Sequence, residues 1–224
     1  MVNNLVLIGA SSEIAEKLVL QNKNLDYKMY GVSTKEVGSN FLKVTDYIDE
    51  SEEILKYIEK INKPILIFFN GYLKENRDTY FPNDEEIHQT FYINFLVPYL
   101  LSLKLVKTIE YKKLVYISSI AAVKPRYKNY IYGLSKQTLE NSIKNMDNKN
   151  SLVIRFGKVK TNMSKDHKDP PFTISSNKAA EIIFNSLNRH GIIYSSWGIR
   201  LSSLIIKYLP LKFVNYIERR SLNG

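Results

Sequence analysis

Short apolar runs alternate with longer segments of helical periodicity along most of this chain. Strand-like runs are predicted at 5–8, 27–32, 41–44, 64–69, 114–117, 151–155 and 191–196. Between them, apolar residues recur at the spacing of a helix face in the segments 13–20, 52–61, 84–109, 130–146 and 176–187. The alternation predicts βαβ units in an α/β fold, with helices on both faces of one doubly wound parallel sheet, a three-layer α/β/α sandwich.

The C-terminal part of the chain, 199–220, has a different pattern. One face of a predicted helix carries Leu201, Leu204, Ile205 and Tyr208, the opposite face carries Arg200, Ser203 and Lys207, and a second short helix after Pro210 carries Phe213, Ile217, Arg219 and Arg220. Such a stripe packs on its own domain, pairs with a second subunit, or lies in a membrane interface. We expect protein packing first and keep peripheral membrane contact through 199–220 as the alternative. The chain is therefore divided into a domain at 1–198 and, at 199–224, an amphipathic helical extension of the same domain.

The length and composition narrow the class of protein. The chain has 224 residues, which suits one domain with a substantial core. It contains no cysteine, which excludes disulfides and thiolate chemistry, and its histidines (His88, His167 and His190) lack metal-ligand spacing, so we expect no metal. The N-terminus enters a predicted strand within a few residues, without a signal or transit peptide, and we expect a cytoplasmic protein.

The net charge of +10 would allow attraction to phosphates, nucleic acid or anionic lipid. Lysines are spread along the whole chain, however, which indicates a general residue bias. No basic stripe interleaved with aromatic residues occurs before the C-terminal part, and we predict no nucleic-acid partner.

A strand, a tight turn and a helix are predicted around Gly9-Ala-Ser-Ser-Glu-Ile-Ala15. Such a turn presents free backbone N–H groups and the positive end of a helix dipole to a pyrophosphate, and glycine allows the backbone to approach closely. The signal is weak alone, because Glu13 and Ala15 stand where dinucleotide-binding turns repeat glycine. A strand-to-helix turn that binds nothing is an equal alternative for this segment.

The residues after the second predicted strand, Ser33-Thr34-Lys35, bear on the choice of cofactor. In dinucleotide-binding folds an acidic residue here binds the ribose hydroxyls of NAD, whereas a basic one accommodates the 2′-phosphate of NADP. The acid is missing and Lys35 is present. NADP(H) is therefore favoured over NAD(H), with a merely solvated lysine as the alternative.

Tyr132 and Lys136 lie four residues apart in a predicted helix and share a face. A nearby ammonium favours phenolate, so we expect Lys136 to lower the pKa of Tyr132 from about 10 and to allow proton exchange near neutrality. Tyr208 and Lys212 have the same spacing, but Pro210 between them disfavours an uninterrupted helix.

In order along the chain, several segments resemble those of the short-chain dehydrogenase/reductase family. They are Gly9–Ala15, Asn70-Gly71, Asn94 with Pro98, Ser119 upstream of Tyr132, Ser135-Lys136, and Phe156-Gly157-Lys-Val159-Lys-Thr161. The resemblance covers nearly the whole chain and implies a Rossmann-type fold. It departs from the family at Glu13 and Ala15, at Phe68-Phe69-Asn70, which stands for Asn-Asn-Ala, and at Phe156, which stands for proline.

The resemblance implies hydride transfer between a nicotinamide and a small-molecule carbonyl or alcohol substrate. The catalytic residues it implies are Asn94, Ser119, Tyr132 and Lys136. The cofactor-binding residues it implies are Gly9, Ser11, Ser12, Glu13, Ile14, Ser33, Thr34, Lys35, Asp46, Asn70, Gly71, Tyr132, Lys136, Gly157, Val159 and Thr161. Asp46 is chosen as the acidic adenine contact, although strict alignment places Lys43 there.

The resemblance implies that Tyr132 donates the proton and that Ser119 hydrogen-bonds the carbonyl oxygen. It also implies that Lys136 holds the ribose and that Asn94 positions a relay water. The resemblance also implies a homodimer or homotetramer. The predicted substrate cover, 162–175, is short and polar, which favours a hydrophilic substrate such as a sugar ketone, or a lipid-linked sugar if 199–220 meets a membrane. The alternative function is a catalytically weak or inactive Rossmann-fold nucleotide sensor or scaffold, which the missing glycines favour.

Overall fold

A computed structural model describes residues 3–22, 27–74, 82–146, 150–165 and 169–222, without the side chains of Lys128 and of 217–222. The strands are β1 (Asn4–Ile8), β2 (Lys28–Ser33), β3 (Phe41–Lys43), β4 (Ile65–Phe68), β5 (Lys113–Ser119), β6 (Ser151–Phe156), β7 (Val159–Lys160), β8 (Ile174–Ser175) and β9 (Gly191–Tyr194). The α-helices are α1 (Glu13–Gln21), α2 (Ser51–Glu59), α3 (Asp84–Phe91), α4 (Val97–Thr108), α5 (Tyr130–Asn145), α6 (Ser176–Ser186), α7 (Trp197–Tyr208) and α8 (Leu211–Leu222).

Seven strands form one parallel sheet in the order β3-β2-β1-β4-β5-β6-β9. The chain winds outward from β1 to β3 and then returns to β4 on the other side of β1. Ligands of open α/β sheets bind in the crevice at such a reversal, outside the carboxyl ends of the strands. The predicted doubly wound parallel sheet is confirmed.

Alternating side chains of the strands enter two separate hydrophobic cores. Val6 and Ile8 of β1 pack with apolar residues of α2, α4 and α5. Leu5 and Leu7 point to the other face, where they pack with residues of α1 and α6. The three-layer arrangement predicted from the apolar pattern is therefore confirmed.

The helix predicted at 84–109 is interrupted by a π-helical turn at Tyr92–Leu96. Its start follows prediction: Asn83 accepts a hydrogen bond from Glu86 N (2.8 Å) and forms a capping box with Glu86. Pro98, near the start of α4, has no N–H to donate to the carbonyl of Asn94 four residues earlier. Periodicity alone does not predict such a widened turn, which recurs at functional sites.

A small parallel pair, β7 and β8, lies outside the main sheet and was not predicted. Val159 pairs with Ile174, and Lys160 pairs with Ser175. The pair closes the base of the segment 162–173, most of the predicted substrate cover. Residues 166–168 of that segment, including His167, lie outside the described residues.

The two C-terminal helices break at Pro210, as predicted. Ile199 and Ser203 of α7 are buried, whereas Leu201, Leu204, Ile205 and Tyr208 are exposed. The stripe therefore does not pack on its own domain, which Ile199 and Ser203 face instead, and its packing against a second subunit stays a prediction. In the part of the chain that the structure describes, none of the helices has the length and apolar character needed to cross a membrane.

Candidate active site

A cleft of about 1140 Å³ opens at the carboxyl ends of the central strands. It is lined by Gly9, Ser11, Ser12, Glu13, Ile14, Thr34, Lys35, Asp46, Asn70, Gly71, Ser119, Tyr132, Lys136, Gly157, Val159 and Thr161. The structure thus brings sixteen of the residues expected from the sequence to one place. Ser33 and Asn94 are not among the lining residues; both are fully buried.

The turn between β1 and α1 approaches the end of β4 closely. Gly9 has φ +83°, and a Cβ there would lie 3.2 Å from the Asn70 nitrogen, so the turn requires glycine. Ser12 is the N-cap of α1 without a side-chain cap bond, which leaves N–H groups of the first turn directed to the cleft. Glu13 accepts a hydrogen bond from Asn162 N (2.5 Å), so its carboxylate joins α1 to the segment after β7.

Thr34 and Lys35 line the cleft after β2, while Ser33 shapes the turn. The Lys35 N–H donates to Ser33 Oγ (3.0 Å), which explains why Ser33 does not face the cleft. Asp46 lines the cleft and Lys43 does not. The Asp46 carboxylate also accepts a hydrogen bond from the Tyr92 hydroxyl (2.5 Å) and so joins two elements of the fold. Burial raises the pKa of Asp46, but hydrogen bonds, first that of Tyr92, hold it below the ordinary value overall.

Tyr132 lies in the first turn of α5, and Ser119 is the last residue of β5. Ser119 Oγ accepts from Ala121 N (3.1 Å), which fixes the hydroxyl at the strand end. Burial raises the pKa of Tyr132 to about 12, opposed by a hydrogen bond with Ser119. The expectation that Lys136 lowers the pKa of Tyr132 is wrong for this structure, because burial outweighs the effects that favour phenolate.

Lys136 is buried on the next turn of α5 and points under the cleft. Its Nζ donates to the carbonyl oxygens of Asn70 (2.9 Å) and Ile117 (3.2 Å). Burial lowers the pKa of Lys136 to about 8, and the charge of Glu140 opposes this shift. The ammonium is thus held between the ends of β4 and β5, directed at main-chain oxygens.

A buried ion pair that the sequence analysis missed lies beneath this site. Glu140 accepts from Ser118 Oγ (2.6 Å) and from Arg155 Nε (3.0 Å), and the guanidinium forms a salt bridge with the same carboxylate. Arg155 also donates to the Tyr194 hydroxyl (2.8 Å). Ser118 therefore faces the ion pair, while Ser119 contacts Tyr132. The hydrogen bonds of the ion pair join α5, β5, β6 and β9 below the cleft. The signal in the sequence was Glu140, one turn after Lys136 on the inward face of a helix.

Asn94 is fully buried in the π-helical turn, and its carboxamide makes three hydrogen bonds. Its Oδ1 accepts from Tyr72 N (2.7 Å), and its Nδ2 donates to Tyr72 O (2.9 Å) and to Ser135 Oγ (3.0 Å). The side chain therefore joins the segment after β4 to α5, next to Lys136. The side chain itself does not line the cleft, and the expected role of Asn94 in positioning a relay water stays a prediction.

The segment after β6 forms the wall opposite the phosphate turn. Thr161 caps the following 3-10 turn in a capping box with Ser164. A Cβ at Gly157 would lie 2.5 Å from Ile199 Cδ1, so glycine here allows α7 to pack against the cleft wall. Lys158 and Lys160 both form salt bridges with Asp169 (2.7 and 2.8 Å), another lining residue of the cleft.

Two buried amide oxygens in the cleft wall, Asn70 Oδ1 and Asn129 Oδ1, have no hydrogen-bond partner among the residues that the structure describes. Buried polar atoms are normally paired, so unpaired atoms aimed into a cleft indicate a ligand. Asn70 lies beside the phosphate turn and Lys136, and Asn129 lies one helical turn before Tyr132. Sequence reasoning missed Asn129, because an asparagine before a helix is equally typical of a cap.

The sequence matches no family profile and no curated protein. Solved structures do match. A short-chain dehydrogenase from Burkholderia cenocepacia in complex with NADP has a TM-score of 0.72 and 15% identity over 92% of this chain and 93% of that one. Aldohexose dehydrogenase from Thermoplasma acidophilum in ligand-free form has a TM-score of 0.73 and 14% identity, over 89% of this chain and 94% of that one.

A short-chain dehydrogenase from Streptomyces avermitilis has a TM-score of 0.72 and 13% identity over 97% of both chains. At such identities the likeness concerns the fold. It spans most of the length of each protein.

Proposed function

We propose that this chain, which has the fold of solved short-chain dehydrogenases, is an NAD(P)-dependent oxidoreductase that interconverts a ketone and a secondary alcohol. The observation that carries the proposal is the grouping of Ser119, Tyr132 and Lys136 at one end of a dinucleotide-sized cleft. Below that group the two strand ends carrying Asn70 and Ile117 bind the lysine. One of the similar structures contains NADP.

The cleft residues fit a nicotinamide dinucleotide. The glycine turn and the first N–H groups of α1 suit a pyrophosphate, and the unpaired Asn70 amide oxygen suits a hydroxyl donor such as a ribose. The absence of an acid at the end of β2, where Ser33 and Thr34 stand, and the presence of Lys35 after them favour NADP(H) over NAD(H). Glu13 brings an unfavourable negative charge to the phosphate turn.

When bound, the nicotinamide would supply the hydride for the carbonyl carbon. Tyr132 donates its proton to the carbonyl oxygen, since an alkoxide is far more basic than a phenolate. A pKa of about 12 keeps the phenol protonated at neutral pH, which favours the reductive direction. Ser119 donates a hydrogen bond to the same oxygen as negative charge develops, and Lys136, held at the strand ends, would bind the nicotinamide ribose.

Asn94 acts in this proposal by positioning. Its carboxamide fixes Ser135, the residue before Lys136, and the segment after Gly71. In an α-helix the main-chain carbonyl of Asn94 would accept the N–H of the residue four positions later, but Pro98 has none. We assign the relay water to this carbonyl.

For the substrate we propose a hydrophilic ketone, such as a sugar ketone. The lining of the cleft includes the polar residues Arg126, Asn129, Asn162 and Asp169. The unpaired Asn129 oxygen would accept a hydroxyl of such a substrate one turn from Tyr132. If the C-terminal helices meet a membrane, a lipid-linked sugar fits the same chemistry.

The test is NADPH oxidation with a panel of sugar and aliphatic ketones, comparing Tyr132→Phe with Tyr130→Phe. Loss of the proton donor should lower kcat by about 10²–10⁴-fold with little change in NADPH affinity. Tyr130 is exposed on the same helix, and its substitution should leave both unchanged. Full turnover by Tyr132→Phe would disprove the assignment.

A second candidate, a nucleotide sensor or scaffold without turnover, is favoured by Glu13 in the phosphate turn. It predicts NADPH binding by the unmodified protein without oxidation of NADPH in the presence of any ketone in the panel.

A further inference from the structure

The C-terminal helices expose a large apolar surface beside the cleft. On α7 the outward residues are Trp197, Leu201, Leu204, Ile205 and Tyr208, and on α8 they are Leu211, Phe213 and Tyr216. We call these eight residues the C-terminal apolar face. Trp197 and Tyr208 each expose 76% of their surface. The five residues of α7 recur at helical spacing and share one side of that helix, and exposed apolar patches of this kind mark protein or membrane interaction sites.

The charged side chains that the structure describes on α7 and α8 are all positive. Arg200, Lys207 and Lys212 are exposed on the same two helices. The sequence from 196 to 217 contains no aspartate or glutamate. Lys207 lies over the Tyr208 ring, 5.4 Å from its centroid, at the edge of the apolar stripe. Apolar and aromatic side chains flanked by cations are the pattern of a helix that lies in an anionic membrane interface.

A second copy of this chain fits the surface less well. A two-fold symmetric interface places each patch against itself, so pairing through this face would bring Arg200, Lys207 and Lys212 together with their own copies. The described side chains of α7 and α8 include no carboxylate to neutralise them. An anionic bilayer supplies both the apolar phase and the missing negative charge.

The C-terminal apolar face is attached to the walls of the cleft. Ile199 of α7 packs on Gly157, and a Cβ at Gly198 would lie 2.3 Å from the ring of exposed Phe172. Tyr127, next to cleft-lining Arg126, donates its N–H to Asn215 Oδ1 of α8 (3.0 Å). Docking through this face would therefore bring the substrate end of the cleft close to the bilayer surface.

We propose that this protein binds the surface of anionic membranes through the C-terminal apolar face. The binding is peripheral, with the aromatic and aliphatic side chains of α7 and α8 inserted at the headgroup level and the three cations in contact with lipid phosphates. The proposal does not depend on the oxidoreductase assignment, because it rests on α7 and α8 alone. Arg219 and Arg220 were part of the sequence expectation, and their side chains lie outside the described residues.

The test uses the full chain and vesicles of pure phosphatidylcholine or of phosphatidylcholine with phosphatidylglycerol. Trp197 is the chain's only tryptophan, so its emission reports this face alone. We expect co-sedimentation with the anionic vesicles, a blue shift of the emission, quenching by brominated lipids, and weakening of all three by salt. Absence of binding to anionic vesicles, or a blue shift that grows with protein concentration without lipid, would overturn the proposal, the latter in favour of self-association.

Two matched pairs of variants locate the binding. Leu204→Asp/Ile205→Asp should abolish co-sedimentation, whereas Leu20→Asp/Val37→Asp, at exposed apolar positions elsewhere, should not. Neutralising the cations with Arg200→Gln/Lys207→Gln/Lys212→Gln should weaken binding by at least about tenfold, since each cation near an anionic surface contributes about fivefold. Lys56→Gln/Lys60→Gln/Lys107→Gln is the control of equal charge. Equal partitioning of all four variants would show that the face is not the membrane contact.

Discussion

Glu13 places a carboxylate at the positive end of α1, where the backbone N–H groups would bind a pyrophosphate. A carboxylate is favourable at this helix end in the free protein, and here it also accepts the N–H of Asn162. Once a phosphate occupies the turn, the same carboxylate repels it. Glu13 thus stabilises the cofactor-free protein relative to the complex of the protein with its cofactor.

We predict that Glu13→Gln binds NADPH about three- to tenfold more tightly, since the repulsion contributes about 1 kcal/mol while the amide oxygen still accepts from Asn162. The measurement is a fluorescence titration at low ionic strength, with Glu59→Gln on α2 as the control. Weaker binding by Glu13→Gln would mean that the carboxylate contacts the cofactor favourably, for example through a ribose hydroxyl.

For Tyr132 and Lys136, the sequence predicts a shared helix face but not the direction of the pKa shift. Their spacing predicts a shared helix face, and both side chains line the same cleft. The direction of the pKa shift of Tyr132 was predicted wrongly, because it depends on how much protein surrounds the phenol, which spacing does not specify. The Glu140–Arg155 ion pair was missed for a related reason: the two residues come from different elements, and only the fold brings them together.

Gly133 controls the contact between α5 and the loop after β5. A Cβ there would lie 2.8 Å from the Ala121 carbonyl oxygen and 3.2 Å from Pro125 Cα, both main-chain atoms. Main chain on two sides cannot rotate away, so the helix would have to shift. The adjacent Tyr132 would move with it, away from Ser119.

Gly133→Ala is therefore expected to lower the free energy of unfolding by about 1–3 kcal/mol, less the gain in helix propensity of up to about 1 kcal/mol, and to lower kcat by about ten- to hundredfold. Urea unfolding and steady-state kinetics measure the two effects. Gly198→Ala is the control, because its new methyl group meets the half-exposed ring of Phe172, which can rotate. Equal effects of the two substitutions would contradict this account.

At the scale of elements, the regular strands and helices followed from apolar periodicity, and the exceptions have specific causes. The π-helical turn at Tyr92–Leu96 preserves the apolar face on both sides, so periodicity does not reveal it. The β7–β8 pair is too short to produce an alternating pattern. The outward stripe of α7 could not be predicted either, since an amphipathic pattern does not specify which face meets the domain.

For the whole molecule, burial of ionisable groups gives the stability a definite dependence on pH. The pKa of Lys136 is lowered from 10.5 to about 8, so between these values the unfolded chain retains a proton that the folded protein has lost, and stability rises with pH. The pKa values of Tyr47 and Tyr132 are raised from 10.0 to about 12. Above pH 10 the folded protein retains protons that the unfolded chain loses, and stability falls.

We predict a maximum of the free energy of unfolding near pH 10, with a rise on the order of 1–3 kcal/mol from pH 8. Urea unfolding at intervals from pH 7 to 11 would measure it. In Lys136→Met the rise should be much smaller, while Lys144→Met, at an exposed position of α5, should retain it. A flat profile in the unmodified protein, or an undiminished rise in Lys136→Met, would show that Lys136 keeps its ordinary pKa.

The sheet ends in two short strands, β3 with three residues and β9 with four. Short edge strands offer few unpaired backbone groups to another chain, which protects against the edge-to-edge pairing that begins aggregation. Crowding in the cell would thus act on this protein mainly through its exposed side chains. Overproduced protein in which the apolar residues of α7 and α8 stay exposed to water should precipitate with its native fold intact. Mild detergent should redissolve this precipitate.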